Sequence, residues 1–236
     1  MRLDCRTISP IELSEEEIHQ MYSLMEKNYK GVAIDSFKKD LKSKDTVFLF
    51  SDQDRIQGFT GLQFKPYQFS NTEILIAYSG DTVLEQTYRG TLSIPVYWGR
   101  YMLSLSENNP SLFWLLTSKG FRTYRYLSVF FKEFIPMPSP PNEYLFHLRE
   151  QIAKEFFGDS FDRTTGILDR KENNQAIMDP DSDWNAIRAS KDPYIQFFEK
   201  ANPNFDKGNE LVCLAHFHQT NICNYILRIL KNKSNV

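Results

Sequence analysis

The sequence predicts a mixed α/β fold, with a central mixed β-sheet flanked by helices. Short apolar segments typical of strands alternate with segments whose apolar residues recur at helical spacing. The clearest unit runs from Ile76 to Leu105, where a strand pattern leads into the turn Arg89-Gly90 and then into a helical pattern. Because a helix N-terminus carries unpaired backbone N–H groups, this unit can hold an anion.

The segments before this unit predict a strand, two helices and a hairpin. Ser14 and Glu17 have the spacing of a capping box, and apolar residues then recur at helical spacing to about Tyr29. Asp35 is predicted to cap a short second helix. We expect strands at 3–8, 46–51, 55–64 and 73–84, with a turn at 52–54 that makes the middle two a hairpin.

The segments after this unit continue the alternation. A strand at 112–117 follows the helix predicted at 93–106, and a second, aromatic helix is predicted at 123–134. The later segments predict helices at 142–156, 193–200 and 221–230, strands at 164–170 and 210–218, and a polar loop at 171–190.

A proline-rich run from Met137 to Pro141 interrupts regular structure. It can be a domain linker or a bend within one domain. We favour the bend, because the polar segment after it has few apolar residues for a core of its own. We therefore expect a single domain over 1–236, in which 136–236 completes the sheet.

Composition and charge exclude several classes of function. The formal net charge of −2 gives no general attraction to nucleic acid or to an anionic membrane, so neither is expected as a partner. No segment reaches the roughly 20 apolar residues that span a bilayer. Three cysteines, Cys5, Cys213 and Cys223, are too few for a disulfide framework, which indicates a reducing compartment and most simply the cytoplasm.

The segment from Gly80 to Gly90 (Gly-Asp-Thr-Val-Leu-Glu-Gln-Thr-Tyr-Arg-Gly) resembles the fourth strand and pyrophosphate loop of the GCN5-related N-acetyltransferase (GNAT) superfamily. The pair Gly120-Phe121 after the next strand is also similar to these proteins, as is the order of the predicted elements. The resemblance covers roughly residues 1–135. It implies a GNAT-like mixed sheet with an enlarged C-terminal part.

The sequence departs from the loop pattern of this superfamily, which is usually Arg/Gln-x-x-Gly-x-Gly/Ala. In the register that begins at Arg89, Leu92 and Ile94 stand where small residues are expected. Glycine at these positions lets the backbone approach the phosphates closely, whereas leucine and isoleucine crowd that approach. The resemblance therefore bears more on the fold than on the usual mode of coenzyme A binding.

The resemblance implies a thioester site where the long strand separates from the strand at 112–117. Acetyl-coenzyme A or another acyl-thioester would be the co-substrate, and a backbone N–H near Val83 would polarise its carbonyl group. The cofactor-binding residues that the resemblance implies are Val83, Leu84, Arg89, Gly90, Thr91 and Leu92.

For catalysis, the resemblance implies a tyrosine that protonates the leaving thiolate, on the helix after the second separating strand. Tyr124 is preferred over Tyr126, and at most one can face the site, because residues two apart point to different sides of a helix. Asp81 and Glu85 are the candidate bases for the acceptor amine. The alternatives are structural: core packing for the tyrosines and simple surface exposure for the carboxylates.

The function that follows is transfer of an acyl group from acyl-coenzyme A or an acyl-carrier protein to an amine of a small molecule or peptide. The alternative is a catalytically inactive GNAT-like module for binding or regulation, which the altered glycine pattern favours. His216 and His218 share one face of a predicted strand, but their spacing matches no compact zinc motif, so no metal is expected.

Overall fold

The computed structural model describes residues 3–91, 93–169, 175–178 and 180–232. These residues form both strands and α-helices, as the sequence predicts. The strands are β1 (Asp4–Ile8), β2 (Tyr29–Lys30), β3 (Thr46–Asp52), β4 (Arg55–Phe69), β5 (Thr72–Leu84), β6 (Leu112–Ser118), β7 (Phe161–Asp162), β8 (Ile167–Leu168), β9 (Ala176–Ile177) and β10 (Glu210–His216). The α-helices are α1 (Glu15–Asn28), α2 (Ile34–Lys42), α3 (Ser93–Asn108), α4 (Phe121–Phe130), α5 (Glu143–Phe157), α6 (Pro180–Ala189), α7 (Pro193–Ala201) and α8 (Asn224–Lys231).

One large sheet contains β1, β3, β4, β5, β6, β10, β8 and β7, in that order. β5 and β6 run parallel, whereas the other neighbouring strands of this sheet run antiparallel. The mixed α/β fold class is thereby confirmed. β10 belongs to the C-terminal half of the chain and pairs between β6 and β8, so both halves build the same sheet.

Helices cover both faces of this sheet. Side chains of β6 alternate between the faces. Trp114 packs against Trp98 of α3, with ring centroids 4.5 Å apart, in a core shared with α4 and α8. Leu115 lies in the core on the other face, together with Leu148 of α5. A third cluster packs α1 and α2 against β3 and β4. Burial on both faces explains why β6 is a continuous apolar run.

The N-terminal elements follow the sequence closely. The capping box of α1 is present: the Ser14 hydroxyl accepts from the Glu17 N–H at 3.2 Å, and the Glu17 carboxylate accepts from the Ser14 N–H at 2.9 Å. β3 and β4 form the predicted hairpin. The prediction that Asp35 caps α2 is wrong, because the helix begins two residues earlier than predicted, at Ile34, with Ala33 at the N-cap. Asp35 lies in the first helical turn.

Later elements differ more from the predictions. α4 begins at Phe121, directly after Gly120, and ends at Phe130 rather than continuing to residue 134. It ends there because Phe131 forms a β-bridge with Ile222, and the carbonyl of Phe130 accepts from the Cys223 N–H. Within the predicted loop at 171–190, residues 171–174 and 179 lie outside the described residues, and α6 occupies 180–189. The strand predicted at 164–170 is reduced to β8.

A second, two-stranded sheet joins distant parts of the chain. β2 directly follows α1, and it pairs with β9 of the C-terminal half. The Met178 N–H donates to the Asn28 carbonyl at 2.9 Å and continues this connection. None of the described helices is long and apolar enough to cross a membrane.

Candidate functional site

The parallel strands β5 and β6 separate partway along their length. They pair from Leu75–Leu112 to Ser79–Leu116, where the pairing ends. Beyond this point β5 continues beside β4, while β6 continues beside β10. The separation therefore leaves the last five residues of β5, 80–84, without pairing to β6.

A β-bulge bends β5 directly after the separation begins. Gly80 pairs with Gly61 and Val83 pairs with Phe59, so that Asp81 and Thr82 both lie opposite one residue of β4. Asp81 adopts a left-handed backbone conformation with φ of 47°. A bulge of this kind re-aims a side chain, and aspartate tolerates this conformation better than most residues.

A cavity of about 810 Å³ lies at the separation, within the size range of small-molecule sites. Its walls come from the end of β5, the segment between β5 and α3, the end of β6, α2 and α4. Val83 and Leu84, two of the predicted cofactor-binding residues, line it. One end of the cavity contains the start of α3, and another region contains a cluster of charged side chains.

Arg89, Gly90 and Thr91, which were predicted to bind the cofactor, line the first of these regions. Gly90 has φ of +85°, a conformation that favours glycine, so this turn depends on it. The exposed Arg89 guanidinium is oriented by Asn28, whose Oδ1 accepts from it at 2.5 Å. The Thr91 hydroxyl is buried and has no hydrogen-bond partner among the described residues.

The first turn of α3 lies beside this segment. Its first four residues are Ser93, Ile94, Pro95 and Val96, of which Ile94, Pro95 and Val96 line the cavity. The N–H groups of a first turn have no partner within the helix, and they can bind an anion. Proline has no N–H, so Pro95 reduces the donors of this turn from four to three. Leu92, the remaining predicted cofactor-binding residue, lies outside the described residues.

The charged cluster surrounds Asp81. Asp40 of α2 lines the cavity together with Asp81. Lys44 Nζ lies 2.7 Å from Asp40 Oδ2 and 3.5 Å from the position that a Cβ would take at Gly80. Burial and the neighbouring charge and hydrogen bond of Asp40 raise the pKa of Asp81 to about 7, although Lys44 and Lys119 act in the opposite direction. A raised pKa lets a carboxyl group bind a proton more readily than an ordinary carboxylate does, which is the property that a general base needs.

A second ion pair borders the cluster. Lys119 follows β6, and its Nζ lies 3.8 Å from the Glu210 carboxylate and 5.3 Å from the centre of the Tyr29 ring. All three of these residues line the cavity. Arg122 and Arg125 of α4 line it as well, so the cavity contains cations from both sides of the separation.

Glu85, the other predicted base, does not line the cavity. Its carboxylate binds Lys27 at 3.1 Å and accepts from the Gln86 N–H. Partial burial works to raise its pKa, but the contacts with Lys27, with the Gln86 N–H and with the charge of Arg89 hold the pKa below its usual value. The structure therefore places Glu85 in the turn after β5, as an ion-paired group that stays charged, and gives no support to its role as a base.

Tyr124 lies away from the cavity, and the expectation that it is the acid needs correction. Its side chain is fully buried among aromatic rings, and its hydroxyl donates to the Pro136 carbonyl at 2.8 Å. Burial raises its pKa far above the usual value. Tyr126 is partly exposed and lines the cavity instead. Burial raises the pKa of Tyr126 as well, which keeps its hydroxyl protonated.

Sequence reasoning missed Asp40, Lys44 and Lys119. Asp40 and Lys44 are four residues apart near the end of a predicted helix, a spacing typical of a solvated ion pair. Nothing in their local sequence indicates that α2 borders the end of β5. Lys119 immediately precedes the Gly120-Phe121 pair, which is part of the family resemblance. Its position next to this pair could have identified Lys119 as a residue of the site.

The two histidines that share one face of β10 and the following segment have local partners. His216 Nε2 contacts the Pro110 carbonyl at 2.8 Å, and His218 Nδ1 contacts the Thr220 hydroxyl at 2.8 Å. In the part of the chain that the structure describes, no three His, Cys, Asp or Glu residues are grouped to hold a metal ion.

Comparison with known proteins gives a likeness in fold. No protein-family model matches the sequence, and no curated protein matches it. A probable N-acyltransferase from Enterococcus faecalis is 15% identical with a TM-score of 0.44, over 57% of this chain and 33% of that one. A GCN5-related N-acetyltransferase from Kribbella flavida is 14% identical with a TM-score of 0.40, over 56% and 34%.

A third similar structure is Arabidopsis thaliana NAA60 in complex with acetyl-CoA, which is 14% identical with a TM-score of 0.41, over 54% of this chain and 86% of that one. The match covers about a third of the length of the Enterococcus and Kribbella proteins. Because the TM-scores are below 0.5, these likenesses give no information about the substrate or the activity of this protein.

Proposed function

We propose that the cavity binds an acyl-thioester and that the protein transfers the acyl group to an amine. The observation that carries this proposal is the separation of β5 from β6 beside a bulge that turns a carboxyl group into the cavity. The separation opens a channel lined by backbone groups, into which an extended thioester arm fits. The start of α3 then lies at one end of this channel, where phosphate groups are expected.

The reaction that this arrangement supports is direct attack of the amine on the thioester carbonyl carbon. The C–N bond forms, the C–S bond breaks, and a backbone N–H near Val83 stabilises the negative charge on the carbonyl oxygen. The amine proton passes to Asp81. The leaving thiolate takes a proton from Tyr126, which lines the same cavity.

Acyl-coenzyme A and an acyl-carrier protein both present a phosphorylated pantetheine arm, and either can be the donor. The acceptor is an amine of a small molecule or peptide. The second candidate function is a catalytically inactive binding module. Pro95 favours this alternative, because it removes one of the donors that a phosphate group would use.

Thermal unfolding in the presence of acetyl-CoA and palmitoyl-CoA tests donor binding. A ligand at 100 times its Kd raises the free energy of unfolding by about 2.7 kcal/mol, so the unfolding temperature should increase measurably. Arg89→Ala should weaken the binding about tenfold, because a charge-assisted hydrogen bond contributes about 1.5–3 kcal/mol.

Arg163→Ala is the matched control, since Arg163 is exposed and does not line the cavity. It should leave binding unchanged. If neither thioester changes the unfolding temperature, the donor site is refuted. If both bind but no amine causes release of the coenzyme A thiol, the inactive binding module is the better description.

A further inference from the structure

Two carboxyl groups from different parts of the fold meet in the cavity. Asp81 projects from the bulge of β5, and Asp40 belongs to the last turn of α2. Both line the cavity, and Lys44 lies next to both of them. Its Nζ is 2.7 Å from Asp40 Oδ2 and 3.5 Å from the position that a Cβ would take at Gly80, the residue before Asp81. An ionised carboxylate can only accept hydrogen bonds, so a hydrogen bond between two carboxyl groups requires that one of them holds a proton.

Lys44 determines which of the two keeps the charge. Its Nζ contacts Asp40 Oδ2 at 2.7 Å, and its side chain is only 3% exposed. The stem of Lys44 packs over Gly61 of β4, where an added Cβ would lie 3.0 Å from Lys44 Cγ. The ammonium group also lies 5.4 Å from the centre of the Tyr78 ring. A cation held in this way favours the ionised form of Asp40, so Asp81 is the member of the pair that takes up and releases the proton.

We propose that Asp40 is a positioning residue, which shares one proton with Asp81 so that Asp81 can accept a proton from a molecule bound in the cavity. Lys44 supports this role by holding the charge of Asp40 in place. The inference rests on the proposed function for its chemical meaning, because the proton that Asp81 accepts there is that of the acceptor amine. The pairing itself exists without any ligand, so it can be measured separately.

The charged groups around Asp81 fix the direction of the expected effects. Asp40 and Lys44 face it from α2 and the segment after this helix, and Lys119 faces it from the turn after β6. The Asp40 charge disfavours ionisation of Asp81, whereas the two lysines favour it. Replacing Asp40 with asparagine removes the negative charge and supplies an N–H donor. Both changes stabilise the ionised form of Asp81 and lower its pKa.

The test is a pH titration of the protein labelled with ¹³C at the aspartate carboxyl groups, followed by NMR without any thioester. We expect one carboxyl signal to titrate near pH 7 and to be absent from Asp81→Asn, which assigns it. In Asp40→Asn this step should move to lower pH by about one unit or more. The side chain of Asp40 is 44% exposed, so the fold should tolerate this substitution.

Asp35→Asn is the matched control, because Asp35 is exposed on the same helix and does not line the cavity. Its titration near pH 7 should equal that of the unmodified protein. The proposal is overturned if no carboxyl group of the unmodified protein titrates above about pH 5.5, or if the step near pH 7 is unchanged in Asp40→Asn. If the titration is as expected but neither acetyl-CoA nor palmitoyl-CoA binds, the proposed function is refuted. The inference that Asp40 and Asp81 share a proton would still hold.

Discussion

The two ends of the cavity differ in how firmly their polar groups are held. Around Asp81, Lys44 is almost fully buried, and its ammonium group is held by Asp40 at 2.7 Å. Around the start of α3, the guanidinium of Arg89 is exposed, and Pro95 leaves three backbone donors in the first turn. The end that would perform proton transfer is therefore preorganised, whereas the end that would bind phosphate has few fixed contacts.

This difference indicates where the energy of donor binding would come from. A phosphate group at the start of α3 can use the side chain of Arg89 and three N–H groups. The thioester arm, in contrast, can contact the whole end of β5 that does not pair with β6. We therefore expect the pantetheine arm to contribute more to affinity than the phosphates, and changes at Asp81 to affect the reaction more than changes at α3.

The largest effect is expected from Asp81→Asn. General base catalysis typically contributes 10²–10⁴-fold, so the rate of acyl transfer to an amine should fall by about this factor. Asparagine has nearly the same shape and tolerates the left-handed conformation of this position. The affinity for acetyl-CoA should therefore change little. A loss of both binding and turnover in the same proportion would contradict the assignment of Asp81 as a base.

A smaller effect is expected from the choice of acceptor amine. The pKa of Asp81, about 7, lies close to that of a peptide α-amine, about 8, and far from that of a lysine side chain, about 10.4. Proton transfer to Asp81 is thus easier from the α-amine than from the lysine side chain by about 3 kcal/mol, the energy that corresponds to the difference between the pKa values of the two amines.

The measurement uses two peptides of identical sequence with acetyl-CoA at pH 7. One peptide has a free α-amine and an acetylated lysine, and the other has the reverse arrangement. Release of the coenzyme A thiol should be at least about tenfold faster with the free α-amine. Equal rates, or a faster rate with the free lysine, would count against a base of this pKa.

The smallest effect is expected from Pro95→Ala, which adds one N–H to the first turn of α3. One additional hydrogen bond contributes about 0.5–1.5 kcal/mol, so the affinity for acetyl-CoA should increase about two- to tenfold. The affinity for pantetheine without phosphates should stay the same, and it serves as the control for changes elsewhere in the cavity. If the affinities for acetyl-CoA and for pantetheine increase equally, Pro95 does not act through the phosphate groups.

Much of the fold follows from local sequence. The capping box at Ser14, the hairpin of β3 and β4, and the unit from β5 through the Arg89-Gly90 turn to α3 all lie close to where they were predicted. These elements have clear periodicity or turn chemistry. The position of β10 between β6 and β8 is different, because it depends on pairing between segments about 100 residues apart.

The site could be predicted only in part. Asp81, Arg89 and Gly90 line the cavity as expected, because they belong to one continuous segment. Asp40 and Lys44 could not be identified, since their role arises from the packing of α2 against the end of β5. The choice between Tyr124 and Tyr126 failed for a simpler reason. It depends on the rotation of α4, and a helix that begins two residues earlier than predicted buries Phe121, Tyr124 and Leu127 on one side.

The insertion of β10 also has a consequence for the isolated N-terminal region. The GNAT resemblance covers about residues 1–135, yet this region would lose the strand that pairs with β6 along six residues, from Phe113 to Ser118. β6 would become an open sheet edge with apolar side chains on both surfaces, which is a typical starting point for aggregation. Truncation to the part with the strongest family likeness should therefore yield an insoluble fragment rather than a minimal enzyme.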